Sequence, residues 1–172
     1  DVDDCIDAVE AAIDAGLADP GRVAIAGGSA GGFTALRALT TSTRFNAGIT
    51  RYGVTDLVAL LDTHKFESHY NDSLIGPWPA AEQAYRTRSP INSLDKLRSP
   101  ILILQGSDDP VVPLEQATAL ADAARSRGLP MAMVVFEGEG HGFRKKATLI
   151  DHYETIDRFL QQYVIFSFQE EK

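Results

Sequence analysis

Arg22-Val23-Ala24-Ile25-Ala26, then Gly27-Gly28-Ser29-Ala30-Gly31-Gly32, then Phe33 to Leu39, is the stretch from which the fold is read. The first part is a short, mostly apolar run suited to a buried strand. The glycine-rich part breaks it, and Phe33 to Leu39 reads as a helix. A strand, a sharp glycine turn and a helix make the opening of a parallel α/β unit. Upstream, Val2, Ile6, Val9 and Ile13 recur at near-helical spacing and predict an amphipathic helix from Val2 to Ala15, closed by Gly16. Asp19-Pro20-Gly21 is a turn.

Downstream, Ala47 to Arg51 predicts a second short strand. Asp56 to Trp78 reads as irregular, with a short helix near Leu57–Leu61, and Pro77-Trp78-Pro79 as a stiff turn. Glu82 to Arg88 gives one or two helical turns before Ser89-Pro90. Pro100 to Gln105, with Ile101-Leu102-Ile103-Leu104, is a continuous apolar run of the kind found in strands covered on both faces. Leu114 to Arg127 is helical and stops at Gly128; Met131 to Phe136 is a further buried strand. Thr148 to Val164 predicts a last amphipathic helix with Ile156, Phe159, Leu160 and Tyr163 on one face, followed by a frayed tail, Gln169 to Lys172. The expected fold is therefore α/β: about four parallel strands with helices on both faces, in three layers.

The 172 residues suit one domain with a single core. No run of eighteen apolar residues is present, so no membrane span is expected. The net charge of −8 disfavours nucleic acid and anionic membranes as partners, and the one basic cluster, Arg144-Lys145-Lys146, reads as a solvated start to the last helix. The acidic Asp1-Val2-Asp3-Asp4 lacks the pattern of a secretory signal. Cys5 is the sole cysteine and cannot form an internal disulfide; it reads as a small buried residue and suits a reducing, cytoplasmic setting.

Gly27-Gly28-Ser29-Ala30-Gly31 matches G-x-S-x-G between a strand and a helix, the nucleophile elbow that lifts a serine hydroxyl above a sheet. About 0.06 accidental matches are expected in a chain of this composition. Glycines at both ends are expected to be required sterically, since Cβ atoms would clash with strand and helix. The turn also brings the Ala30 N–H and a helix N-terminus toward a substrate oxyanion. A phosphate-binding loop would need Gly-Lys-Ser/Thr, which is absent, and the run does not fit a dinucleotide fingerprint.

A serine nucleophile needs a base. Of His64, His69, His141 and His152, only His141 sits just past a buried strand and between glycines, in Glu137-Gly138-Glu139-Gly140-His141-Gly142-Phe143. His152 falls within the last helix, and His64 and His69 make a weak metal signal with no third ligand. The orienting carboxylate comes from Asp108 or Asp109, in Gly106-Ser107-Asp108-Asp109-Pro110-Val111-Val112-Pro113 after the apolar strand; one of the two is expected to cap the turn. The chain order is Ser, Asp, His, each after a different strand.

Together, Gly-Gly-Ser-Ala-Gly-Gly, then Gly106-x-x-Asp109-x-x-Val112-Pro113, then Glu139-Gly140-His141-Gly142 resemble the catalytic domain of the prolyl oligopeptidase family, nearest its acylaminoacyl-peptidase and dipeptidyl-peptidase-like branch. The resemblance covers nearly the whole chain and selects Asp109 over Asp108. It implies hydrolysis of short peptides through an acyl-enzyme, without metal or cofactor. It also implies an apolar specificity pocket lined by Tyr52, Val111 and Val112. A carboxylesterase or dienelactone-hydrolase-like enzyme shares the same three residues, and a non-catalytic association module is the alternative of a different class.

Family members carry about half a catalytic domain before the elbow, where only 28 residues precede Ser29 here. The chain is thus expected to be the C-terminal part of a longer enzyme, with its second oxyanion donor elsewhere. Two consequences are expected: self-association, most simply a homodimer, through an exposed edge at Val23–Ala26, and weak or no activity for this piece alone. The stretch from His64 to Ser68 reads as a lid, a pocket wall or plain surface loop.

Overall fold

A computed structural model describes residues 1–62 and 70–166. His64, His69, the His64–Ser68 stretch and the tail Gln169–Lys172 lie outside the described residues. The chain runs α1 (Val2–Asp14), β1 (Ala24–Gly28), α2 (Ala30–Thr41), β2 (Ala47–Arg51), a 3₁₀ turn (Ala59–Asp62), α3 (Tyr70–Leu74), α4 (Glu82–Arg88), a 3₁₀ segment (Pro90–Lys96), β3 (Ile101–Gly106), α5 (Leu114–Ser126), β4 (Met131–Phe136) and α6 (Lys146–Leu160), which runs on into a π-helical turn (Gln161–Ile165). Among the described residues the four strands form one parallel sheet in the order β1-β2-β3-β4. Consecutive strands are neighbours, joined by helical crossovers, so every carboxyl end opens on the same rim.

The apolar run of β3 divides its residues between two layers. Ile101 and Ile103 face Leu36, Leu39, Leu120 and Ala121, under α2 and α5. The apolar face of α1 (Val2, Ile6, Val9 and Ile13) packs against this same cluster. Leu102 and Leu104 face Phe159 and Val164 at the end of the chain. All four β3 residues are buried, as strands screened on both sides require. Gly48 on β2 admits α2: a Cβ there would stand 2.2 Å from Leu39 Cδ1. A third cluster, with Val54, Leu57, Leu60, Tyr85 and Val112, closes the carboxyl rim beside the sheet.

Several boundaries differ from the sequence reading. Val23 lies before β1, which instead takes in Gly27 and Gly28, because ladder pairing with β2 continues to the elbow. Part of the irregular Asp56–Trp78 stretch is α3, and Pro90–Lys96 is helical. The last helix starts at Lys146 rather than Thr148 and widens to π geometry after Leu160, keeping Tyr163 and Val164 on the apolar face. None of the described helices is long and apolar enough to cross a membrane.

Candidate active site

Ser29 stands between β1 and α2 as the N-cap of α2, at φ 54° and ψ −120°. Positive φ is uncommon for a residue with a side chain and marks stored backbone strain. Gly27 makes the bend possible, since a Cβ there would lie 2.0 Å from the Gly31 carbonyl oxygen. Gly32 lets α2 approach the loop after β2, where a Cβ would fall 2.6 Å from Gly53 Cα. Gly31 departs from the expectation that both motif glycines are sterically required, because nothing lies within 4 Å of the Cβ position. It meets Gly27 through its carbonyl, while its bare side points away into a cavity. The Ser29 N–H donates to the Arg51 carbonyl at 3.0 Å, tying the elbow to the end of β2. Ala30 is the first residue of α2, so its N–H has no acceptor one turn back in the helix.

Asp109, in the loop after β3, has a fully buried side chain. Its Oδ1 accepts from the Val111 and Val112 amides, each at 2.9 Å, and its Oδ2 accepts from Gln105 Nε2 at 3.3 Å. Burial pushes this carboxyl upward, but hydrogen bonds from His141 and the Val112 and Val111 amides outweigh burial and hold it below its ordinary value. Asp108 is exposed; it accepts from Ser107 Oγ at 2.6 Å, and its N–H donates to the Glu139 carbonyl at 2.9 Å. Asp108 thus holds the turn while Asp109 faces inward.

His141 is presented by the loop after β4, whose Gly138 and Gly142 take φ of 68° and 115°. Glu139, not singled out for a role by the sequence reading, anchors that loop. Its buried carboxylate accepts from the Arg144 N–H at 3.0 Å and the Lys145 N–H at 2.9 Å. Burial acts to raise this carboxyl, yet the Lys145 and Arg144 amides, the Thr148 side chain and the Lys145 charge leave it below its ordinary value. Gly106 lets the loop lie directly on the end of β3, since a Cβ there would come 2.3 Å from the Glu139 carbonyl oxygen.

The imidazole of His141 bridges the other two groups. Its Nδ1 is 2.9 Å from Asp109 Oδ2 and its Nε2 is 2.8 Å from Ser29 Oγ. An ionised Asp109 can only accept, so Nδ1 carries the proton and Nε2 accepts from the serine hydroxyl. The ring is about one-fifth exposed.

A cavity of about 730 Å³ opens beside Ser29. Val111 and Val112 line it, with Phe33, Val54 and Leu57. Tyr52, expected in the same lining, is not part of it. At φ 39° its ring turns instead onto His141, centroids 4.8 Å apart, and onto Phe143 at 5.2 Å. Phe143 in turn meets buried His152 at 5.5 Å. Burial, then the Arg51 charge, lowers the pKa of His152, which favours the neutral ring. His152, on the last helix, packs behind the site.

A parallel sheet with a strained serine elbow at its carboxyl rim, facing a histidine and a buried aspartate, is the architecture of the α/β-hydrolases. The model of the prolyl oligopeptidase family matches residues 1–165, and the chain belongs to that family. It is 32% identical over 167 residues to dipeptidyl peptidase family member 6 of Caenorhabditis elegans, a match covering 92% of this chain and 23% of the relative. It is 35% identical over 150 residues to dipeptidyl aminopeptidase BIII of Pseudoxanthomonas mexicana, covering 83% of this chain and 22% of that one. Among solved structures, a puromycin-hydrolysing peptidase of Mycobacterium tuberculosis superposes with a TM-score of 0.93 at 45% identity, over 95% of this chain and 25% of the other. The chain thus spans about a quarter of the length of the relatives it matches.

Proposed function

We propose that this chain supplies the nucleophile, base and orienting carboxylate of a serine peptidase that cleaves short peptides, of acylaminoacyl or dipeptidyl type, through an acyl-enzyme. The observation that carries the reading is the hydrogen-bonded line from Ser29 Oγ through His141 to Asp109, at 2.8 and 2.9 Å, beside an apolar cavity. Family membership supports it.

In this scheme Ser29 Oγ attacks the scissile carbonyl carbon as its proton passes to His141 Nε2. Asp109, held by two amides and Gln105, keeps the ring in the tautomer that can accept and stabilises the imidazolium. The Ala30 N–H, together with a donor from outside these residues, binds the oxyanion. His141 then protonates the leaving nitrogen, the C–N bond breaks, and the acyl group stays on Ser29. Water, giving its proton to His141, attacks the ester carbonyl; His141 returns the proton to Ser29 Oγ and the acid leaves. The scheme needs no metal or cofactor.

The test is fluorophosphonate labelling of the full-length protein, with parallel turnover of acyl-peptide anilides, dipeptidyl anilides and simple esters. Labelling and anilide cleavage, both lost in Ser29→Ala, are expected. Turnover confined to esters would favour the esterase alternative, and no labelling of the wild type would favour a non-catalytic module. Two lesser parts of the proposal are self-association through β1, which pairs only with β2 among the described residues, and residence in a reducing compartment, consistent with the single Cys5.

A further inference from the structure

The cavity beside Ser29 has two different ends. Near the nucleophile its walls are apolar. Farther along, the same face of α2 that carries Phe33 carries Arg37, and Arg88 from the end of α4 joins it. Among the described residues neither guanidinium lies within ion-pair distance of a carboxylate. Arg37 Nη1 lies 3.5 Å from the Thr87 carbonyl, and Arg88 Nη1 donates to the Leu74 carbonyl at 3.1 Å. Asp1 and Asp3 also line the cavity, but Asp1 is engaged by the Thr34 hydroxyl at 2.7 Å and by the Val2 N–H at 2.9 Å. The pKa of Arg37 is lowered, first by its own burial and then by the charge of Arg88.

Two like charges held together in a partly desolvated wall repel each other, and an anion between them relieves that repulsion. Guanidinium groups match a carboxylate with paired N–H donors. We infer that Arg37 and Arg88 form a subsite for a substrate carboxylate, making the preferred substrates anionic oligopeptides. This rests on the peptidase reading above. The spacing sets the register. Arg37 lies eight residues past Ser29 on α2, about 12 Å along the axis at ~1.5 Å per residue. An extended peptide advances about 3.3 Å per residue. The carboxylate therefore sits about three to four residues from the scissile carbonyl. The free α-carboxylate of a short peptide and an Asp or Glu side chain at that distance offer the same chemistry.

Binding to the full-length Ser29→Ala protein, followed by calorimetry, tests this without turnover. Three peptides of one sequence are compared: a free C-terminal acid four residues from the cleavage position, its C-terminal amide, and the amide with Glu in the last position. Tighter binding of one or both anionic peptides than of the plain amide is expected, by about tenfold to a hundredfold, the scale of a charge-assisted hydrogen bond. Which of them gains identifies the source of the carboxylate. Arg37→Gln and, separately, Arg88→Gln should erase the gain and leave binding of the amide within about twofold, as should raised salt. Arg86→Gln, whose side chain pairs with Glu82 outside the cavity, should change nothing. Equal affinity for all three peptides, or a preference that survives both arginine variants, overturns the subsite. Turnover of peptide anilides by the wild type tests the peptidase reading separately, so the two failures are distinguishable.

Discussion

Gly106→Ala isolates the contact that sets the height of His141 above the sheet. The new methyl carbon would start 2.3 Å from the Glu139 carbonyl oxygen and 2.7 Å from both the Glu139 carbonyl carbon and the Gly140 oxygen. These atoms are backbone and cannot swing aside. Reaching even 3.0 Å from the first requires a displacement of about 0.7 Å. The loop resists such a shift. The Glu139 carbonyl accepts from the Asp108 N–H, and its carboxylate is pinned by the Arg144 and Lys145 amides. His141 lies two residues beyond Glu139, so most of that displacement reaches the imidazole and stretches its 2.8 Å contact with Ser29 Oγ. A misplacement near 1 Å costs on the order of a hundredfold in rate. Overpacking of this kind costs about 1–3 kcal/mol in stability. The assay is the second-order rate of fluorophosphonate labelling, with urea denaturation beside it. Labelling within threefold of wild type would refute the claim that this glycine sets the height of the histidine.

Asp109→Asn should lower labelling and peptide turnover by about 10⁴-fold, because the amide cannot hold the Nδ1–H tautomer. The carboxyl titrates lower folded than unfolded, so its contribution to stability is complete above about pH 4 and disappears as pH falls through the folded value. The Tm difference between wild type and variant, measured by calorimetry, should therefore shrink on acidification below about pH 4; a difference that grows would contradict the assignment. Gly27→Ala should cost about 3 kcal/mol or more in a denaturant titration, given its 2.0 Å contact with the Gly31 carbonyl oxygen. Gly31→Ala should shift stability by no more than about 1 kcal/mol, since its Cβ position is open. Leu104→Ala, fully buried between β3 and α6, should lose about 2–5 kcal/mol by the same measurement.

Part of this molecule is written locally. The 3.6-residue recurrence of Val2, Ile6, Val9 and Ile13 and the unbroken apolar run at Ile101–Leu104 are responses to burial on one face or on two. They are visible without knowing the partner surface. The bend of the elbow is local as well, since Gly27 relieves a clash with the Gly31 carbonyl four residues on. Strands alternating with helices then require a parallel sheet, and a parallel sheet gathers the loops carrying Ser29, Asp109 and His141 at one rim.

The rest depends on contacts between segments far apart in the chain. Tyr52 is an aromatic at a strand end in the sequence; only the placement of the His141 loop turns its ring onto the imidazole and out of the cavity. Gly31 looks as necessary as Gly27 in the motif, but its Cβ direction is fixed by how α2 leaves the elbow. Gly106 and Glu139 are 33 residues apart (139 − 106), and their contact exists only once β3 and β4 pair. That Arg37 and Arg88 line one cavity likewise depends on the fold bringing the end of α4, with its Thr87 carbonyl, up to Arg37 on α2. Periodicity and turn chemistry are short-range and can be read along one dimension. The direction in which a side chain points across a gap is set by packing, which is a property of the assembled layers.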